Sequence, residues 1–394
     1  MFFKLFHSRP VVVRAPGRIN LIGEHTDYNR GLAMPAAIDR YVYVAVSLRS
    51  DSRMNLQASG FDPFIALVAD VSPCFGAWHS YVQGVVSVLL EKGHLVEGFN
   101  LYVTGDIPVG AGMSSSAALC CGTVMALDHL FGLGLELGEM ALVAQAAEHR
   151  FAGVNCGLMD QYACLFSKAG HVLNLDLDSM EYALVPLSLV GAELVLLDSG
   201  VKHSLASSEY NKRREECERA VRLVGKHWSG TGDASSLREV SMDQLYEKVL
   251  VADPVSFKRS KYVLGENERV MAAVWALLKG DLVAFGDLMF SSHFGLRDLY
   301  QVSCPELDFL VQAAGSSARV LGARMMGGGF GGCTINLLTK EVSVFVERMR
   351  AEYKKVYGME LRSYTVRLSD GASVLSDLET GLVEVALGQV DVEQ

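Results

Sequence analysis

Three stretches of the chain concentrate residues able to do chemistry. In Pro108-Val109-Gly110-Ala111-Gly112-Met113-Ser114-Ser115-Ser116-Ala117-Ala118, two glycines let backbone come close to a ligand and three hydroxyls follow. The apolar run from Ala117 to Phe131 then reads as a buried helix, whose first N–H groups are free and carry partial positive charge. Those parts in that order make a cradle for an anion. The stretch lacks the lysine of a P-loop, so a nucleotide here would be held differently from a Walker fold. A serine-capped helix after a glycine turn would leave the same local pattern.

The second stretch, Arg18-Ile19-Asn20-Leu21-Ile22-Gly23-Glu24-His25-Thr26-Asp27-Tyr28-Asn29, gathers Arg, Glu, His and Asp. Carboxylates beside a histidine suit a metal site or the hydrogen-bonding wall of a polyol pocket. No second His follows at helical metal spacing, which favours sugar recognition. The third, Met326-Gly327-Gly328-Gly329-Phe330-Gly331-Gly332-Cys333-Thr334, formally satisfies G-x-G-x-x-G. A dinucleotide fingerprint must open a helix, whereas Thr334 to Leu338 reads as a strand. Five glycines in six residues exceed the needs of one hairpin turn, so the expectation is a loop packed against the substrate and phosphate region.

Taken together, these stretches resemble the GHMP kinases, and within that superfamily the galactokinase branch. Gly17 to Tyr28 is similar to that branch's long signature, Cys156-Gly157-Leu158-Met159-Asp160-Gln161 to its catalytic-aspartate segment, and Ser208-Glu209-Tyr210 to its sugar-contacting tyrosine. Arg30 stands where the family often has Gly, and Met113 where Leu is usual. The resemblance implies a two-domain α+β fold: a domain like the second domain of ribosomal protein S5 over residues 1–190, and a ferredoxin-like domain over 191–394. It implies transfer of the γ-phosphoryl of ATP to the C1 hydroxyl of D-galactose. Gly110, Ala111, Gly112, Met113, Ser114, Ser115 and Ser116 would hold the phosphates, with Ser116 and Glu148 on Mg²⁺. Asp160 would take the C1 proton beside Arg18, and Glu24, His25, Thr26, Asp27, Gly157, Asp160 and Tyr210 would bind the sugar. Trp78 would stack near adenine or belong to the core. A kinase for N-acetylgalactosamine or another sugar, and a catalytically silent sugar sensor, are the alternatives. The sensor reading conflicts with the presence of the full serine cluster, Asp160 and Arg18.

Elements must position these groups. Val11 to Val13 and Tyr41 to Val46 read as strands flanking the second stretch, and Asn100 to Thr104 as a strand leading into the first. Trp78 to Gly93, Glu136 to Phe151 and Glu209 to His227 have helical spacing, and Val263 to Ala314 is mainly helical. The charged run Lys212 to Glu216 reads as a solvated face. Glu193 to Leu197, and Ala323 to Leu338 around the glycine cluster, supply further strands. Ser229 to Ser236 reads as a flexible loop by composition.

Composition sets the outer limits. At roughly 150 residues per domain, 394 residues make two or three domains. Fifty per cent hydrophobic and 20% charged residues exclude disorder and fibrous repeats. A net charge of -10 repels nucleic acid and anionic lipid at long range, leaving small molecules as the expected partners of a monomer. Eight cysteines without C-x-x-C spacing, mostly in apolar stretches, read as reduced thiols of a cytoplasmic protein. The segment Met1 to Pro10 has no signal-peptide pattern, and the apolar run Ala117 to Leu127 is shorter than the ~18 residues of a membrane span. The acidic tail from Glu379 to Gln394 has no legible role.

Overall fold

The β-branched runs pair into three sheets. The computed structural model describes residues 1–108, 110–153, 156–201, 206–225, 235–339 and 341–376. Val11–Asn20 runs inside a six-stranded sheet between Ser373–Val374 and the long strand Pro35–Leu48, followed by Phe99–Gly105, Arg53–Ala58 and Phe64–Leu67. All its pairings are antiparallel except that of Arg53–Ala58 with Phe99–Gly105. Ser115–Phe131 packs on Val11–Asn20 and Pro35–Leu48, and its residues from Ala117 to Leu127 are all buried. That explains its lack of an amphipathic stripe: a helix covered on every side has no polar face to show.

Glu193–Asp198 is central in a four-stranded antiparallel sheet, in the order Val320–Met325, Cys333–Leu338, Glu193–Asp198, Arg362–Val366. A three-stranded sheet of Leu32–Ala33, His171–Asp176 and Tyr182–Pro186 completes the set. The division expected between residues 190 and 191 falls just ahead of Glu193–Asp198. The chain then returns: Ser373–Val374 pairs with Val11–Asn20, and the largest buried cluster draws on residues from Val13 to Val366.

The helical expectations are met by His79–Glu91, Leu137–Ala147 and Ala206–Gly225, and by Pro254–Leu278, Leu282–Gly295 and Pro305–Gly315. Two details differ. Glu136 to Phe151 is not one uniform helix, because Glu148–Ala152 forms a π-helical turn. The run Lys212 to Glu216 is not wholly a solvated face. Arg213 and Glu216 are buried, Arg213 donating to the Tyr300 and Gln301 carbonyls and Glu216 accepting from Arg259 at 2.8 Å. The serine-rich loop up to residue 234, His227 and the acidic tail lie outside the described residues. All eight cysteines are free, six of them buried. No helix of the described residues is long and apolar enough to cross a membrane.

Two helical glycines separate packing from propensity. A Cβ on Gly286 would sit 2.0 Å from the Leu321 carbonyl oxygen, because Leu282–Gly295 lies directly against Val320–Met325 there. Gly138 has nothing within 4 Å of its missing Cβ. Gly286→Ala is expected to destabilise by about 1–3 kcal/mol through overpacking, and Gly138→Ala to stabilise by about 0.5 kcal/mol through the unfolded chain. Urea unfolding of both variants checks this; shifts of the same sign would contradict the close approach.

Candidate active site

The site begins with a defect in a strand. The register of Val11–Asn20 against Pro35–Leu48 shifts between Pro16 and Arg18, and such a bulge re-aims a side chain. Gly17 permits the turn, since a Cβ there would lie 2.8 Å from the Met113 carbonyl oxygen. Arg18 is only 6% exposed, and each nitrogen of its guanidinium donates a bond. Nε donates to Asp160 Oδ1 at 2.7 Å, Nη2 to Asp160 Oδ2 at 2.9 Å and Nη1 to the Gly112 carbonyl at 2.6 Å. Burial works against this charge, but Asp160 and Glu24 outweigh it and leave the Arg18 pKa above its ordinary value. Asp160 itself stands in the first turn of Met159–Phe166, where a carboxylate is favoured by the helix dipole.

The same carboxylate reaches the glycine-serine stretch. Ser114 donates its hydroxyl to Asp160 Oδ2. It occupies the N-cap position of Ser115–Phe131 with φ 58°, and its side chain makes no bond to that helix. The serine-capped reading therefore fails: the cap residue points elsewhere, and the first N–H groups of the helix remain available to an anion. Gly110 and Gly112 supply the positive φ angles of the turn, 81° and 76°. Ala111 and Met113 bury their side chains in the core and offer only backbone. Ser115 and Ser116 line a cavity of about 450 Å³ together with Gly60, Phe61, Trp78 and Tyr81. Trp78 therefore faces this cavity, with Nε1 donating to the Asp62 carbonyl at 3.2 Å.

Glu148, at the start of the π-helical turn, is 4% exposed and accepts from Gln161 Nε2 at 2.5 Å. Burial pushes its carboxyl up to about 7, opposed by a hydrogen bond from Ser116. No basic side chain of the described residues forms an ion pair with it. A buried carboxylate with no ion-pair partner, with a hydroxyl alongside, is an all-oxygen pair of the kind Mg²⁺ accepts when phosphate oxygens and waters fill its other positions. The described residues hold no group of three or more His, Cys, Asp or Glu that could bind a metal on their own.

Across Asp160 from the serines lies a cavity of about 260 Å³ lined by Arg18, Glu24, His25, Asp27, Asp160 and Tyr210, with Cys156, Met159 and Gly327 to Gly329. The third glycine stretch thus packs where expected. Glu24 Oε1 accepts from the Gly327 N–H at 2.7 Å. His25 Nε2 lies 3.2 Å from the Gly328 carbonyl, which can only accept, so Nε2 carries the proton. Nδ1 then accepts from Tyr28 Oη at 2.7 Å, and Tyr28 in turn lies 2.8 Å from Tyr300 Oη. Both ring nitrogens are spent inside the protein, so His25 is a wall of the cavity rather than a hydrogen-bonding partner for its contents. Asp27 Oδ2 accepts from the Gly157 N–H at 3.1 Å, and burial, with the Asp160 charge behind it, pushes the Asp27 carboxyl up to about 6.

Two expected sugar residues do other work. Thr26 is fully buried, and its hydroxyl lies 2.8 Å from both the Gly23 and Leu32 carbonyls, pinning the loop. Gly157 holds Asp27; a Cβ there would sit 2.3 Å from Asp27 Oδ2. Arg30 adopts φ 54°, which gives a reason for glycine at that position in relatives. Sequence reasoning misses Tyr300 and Arg324, and it takes in Cys156 and Met159 only as neighbours of Asp160, without a role of their own. Tyr28 lay inside a quoted stretch without a role.

Known proteins share this pattern. A galactokinase galactose-binding signature matches residues 1–48, the GHMP kinases N terminal domain residues 80–168, and the GHMP kinases C terminal domain residues 273–355. The chain is 41% identical over 360 residues to the galactokinase of Thermotoga petrophila, spanning 91% of this chain and 98% of that one. It is 40% identical over 384 residues to the galactokinase of Canis lupus familiaris, spanning 95% of each. The crystal structure of Lactococcus lactis galactokinase complexed with galactose superposes with a TM-score of 0.90 at 34% identity, covering 95% of this chain and 98% of that chain. Methanococcus jannaschii mevalonate kinase matches at a TM-score of 0.61 and 17% identity, covering 93% and 100%, a likeness of fold alone.

His25 is held neutral by its surroundings. Burial lowers its pKa from 6.5 to about 3, with Arg213 and Arg324 adding to the effect and the Gly328 carbonyl opposing it. Because the unfolded chain would take the proton first, stability should fall as pH drops below about 6.5. NMR of the ring should show one neutral Nε2–H tautomer from pH 5 to 8; a titration in that range would contradict the hydrogen-bond chain.

Proposed function

This chain belongs to the galactokinase family of the GHMP kinases, has their α+β fold and phosphorylates D-galactose with ATP to give galactose 1-phosphate and ADP; we propose the following roles for its residues. Galactose lies in the cavity of Glu24, Asp27 and Tyr210, and ATP in the cavity of Trp78, with its phosphates on the Gly110 to Ser116 turn. The C1 oxygen attacks the γ-phosphorus, the bond from that phosphorus to the bridging β–γ oxygen breaks, and the C1 proton passes to Asp160.

The observation that carries this reading is one side chain. Arg18 grips both oxygens of Asp160 and, through Nη1, the Gly112 carbonyl at the edge of the phosphate turn. Its charge thus stands between the two cavities, where a transferring phosphoryl group would pass. Phosphoryl transfer needs alignment and charge neutralisation more than covalent help, and its loose transition state asks little of a base. A carboxylate clamped by Arg18 and Ser114 suits that demand, because the clamp fixes its direction and a late proton needs only a well-placed acceptor. Ser116 and Glu148 are the residues that would hold Mg²⁺, which when bound neutralises phosphate-oxygen charge. Glu24 is buried and Asp27 partly buried, and such groups lose a partner when an analogue moves a hydroxyl, so glucose should be a poor substrate.

Asp160→Asn and Arg18→Ala are each expected to lower kcat by about 10²–10⁴-fold while an ATP analogue still binds within a few-fold of the parent. Near-normal turnover in both would remove the assignment. Glu148→Gln should raise the Mg²⁺ concentration needed for half-maximal rate by about tenfold or more, with little change in galactose binding measured without nucleotide. An unchanged Mg²⁺ requirement would place the ion elsewhere.

A further inference from the structure

We propose that Arg324 is a positioning residue for sugar recognition, fixing the Glu24 carboxylate so that a single oxygen faces the galactose cavity. The proposal deepens the reading above and rests on Glu24 standing at the sugar. Arg324 belongs to Val320–Met325 of the four-stranded sheet and is completely buried. Its guanidinium leaves that sheet for the N-terminal half of the chain. Nη1 donates to the Asn20 carbonyl at 2.9 Å, and Nη2 lies 3.2 Å from Glu24 Oε1.

Glu24 Oε1 is thereby met twice from one short segment, by the Arg324 charge in an ion pair that is not a hydrogen bond and by the Gly327 N–H, which donates to it three residues later. No hydrogen bond from the described residues reaches Oε2, and Glu24 lines the cavity. One N–H alone would leave the carboxylate free to turn about its last torsion, whereas the buried Arg324 charge beside Oε1, its Nη2 having no hydrogen-bond partner among the described residues, favours the setting that keeps that oxygen against it. Among the described residues Glu24 is also the sole ion-pair partner of Arg324. A buried pair of this kind leaves an uncompensated charge when either member is removed alone, so the two should behave as a unit. The segment is braced from behind: the Met325 N–H lies 3.3 Å from His293 Nδ1 on Leu282–Gly295.

The test uses the full-length chain with Arg324→Met, Arg324→Lys, Glu24→Gln and the Arg324→Met/Glu24→Gln double variant. Calorimetry without nucleotide measures binding of galactose and of its 2-, 3-, 4- and 6-deoxy forms; binding of an ATP analogue and thermal melting are measured alongside. Arg324→Met is expected to weaken galactose by about 10–100-fold and the ATP analogue by less than about threefold, with Arg324→Lys recovering part of the loss. The deoxy sugar whose penalty vanishes in Glu24→Gln should be the one whose penalty shrinks in Arg324→Met. The double variant should bind no worse than the weaker single variant and melt above Arg324→Met, because the stranded carboxylate is gone. Should Arg324→Met fail to fold, Arg324→Lys, with a smaller loss confined to that same deoxy sugar, decides the matter. Parental galactose affinity in the Arg324 variants, or losses that multiply in the double variant, would overturn the proposal. Unchanged galactose affinity in Glu24→Gln would overturn it differently, by removing Glu24 from the sugar.

Discussion

The contact on which the rest depends is the bidentate pair between Arg18 and Asp160, two residues 142 positions apart in the chain. A planar guanidinium meeting a carboxylate with two parallel bonds fixes direction as well as distance, which a lysine could not do. The third arm of the same guanidinium ends on the Gly112 carbonyl, and Ser114 closes on the same carboxylate. One ion pair therefore ties the strand bulge at Arg18, the Gly110 to Ser116 turn and the start of Met159–Phe166 together. Local choices along the chain serve it. Gly17 lets the strand touch the turn, the left-handed Ser114 withdraws from capping, and a π-helical turn sets Glu148 beside Ser116.

The cavity lined by Glu24, His25 and Asp27 shows a different economy, in which most polar groups are spent on one another. His25 gives one nitrogen to Tyr28 and the other to the Gly328 carbonyl. Thr26 serves its own loop, Gly157 serves Asp27, and Glu24 keeps one oxygen on Gly327. In a buried pocket this has a physical reason. Each free polar group must be matched by the ligand or cost its desolvation, so a selective site exposes only those atoms that the right sugar will satisfy. Two of these bonds, at His25 and Glu24, cross from the N-terminal loop to the glycine stretch of the four-stranded sheet, so both halves of the chain shape this cavity.

Much of this was legible in the sequence, because residue type alone carries it. Glycines next to serines ahead of an apolar run announce a helix N-terminus open to anions, and β-branched runs around the Arg18 to Asn29 segment announce the strands that hold it. The roles of single polar atoms were not legible. Nothing in Glu148-His149-Arg150-Phe151 distinguishes a π-helical turn from continuing helix. A run such as Lys212 to Glu216 cannot reveal that Glu216 meets Arg259, 43 residues on. Arg324 sits in a short strand whose sequence resembles any other, and its importance comes from Asn20 and Glu24, about 300 residues earlier in the chain. Patterning fixes which face is buried; the partner of a buried charge is decided by tertiary approach.

The central claim is that Asp160 stands between sugar and nucleotide with the lone pair left on Oδ1 available to the C1 hydroxyl. A crystal structure with galactose and a non-hydrolysable ATP analogue bound together measures this most directly. The account predicts the C1 oxygen within about 2.6–3.2 Å of an Asp160 oxygen and about 3–3.5 Å from the γ-phosphorus, in line with the bridging oxygen, while Arg18 keeps both its bonds to Asp160. A C1 hydroxyl turned away from Asp160, with the γ-phosphate remote from the Ser114 turn, would contradict it.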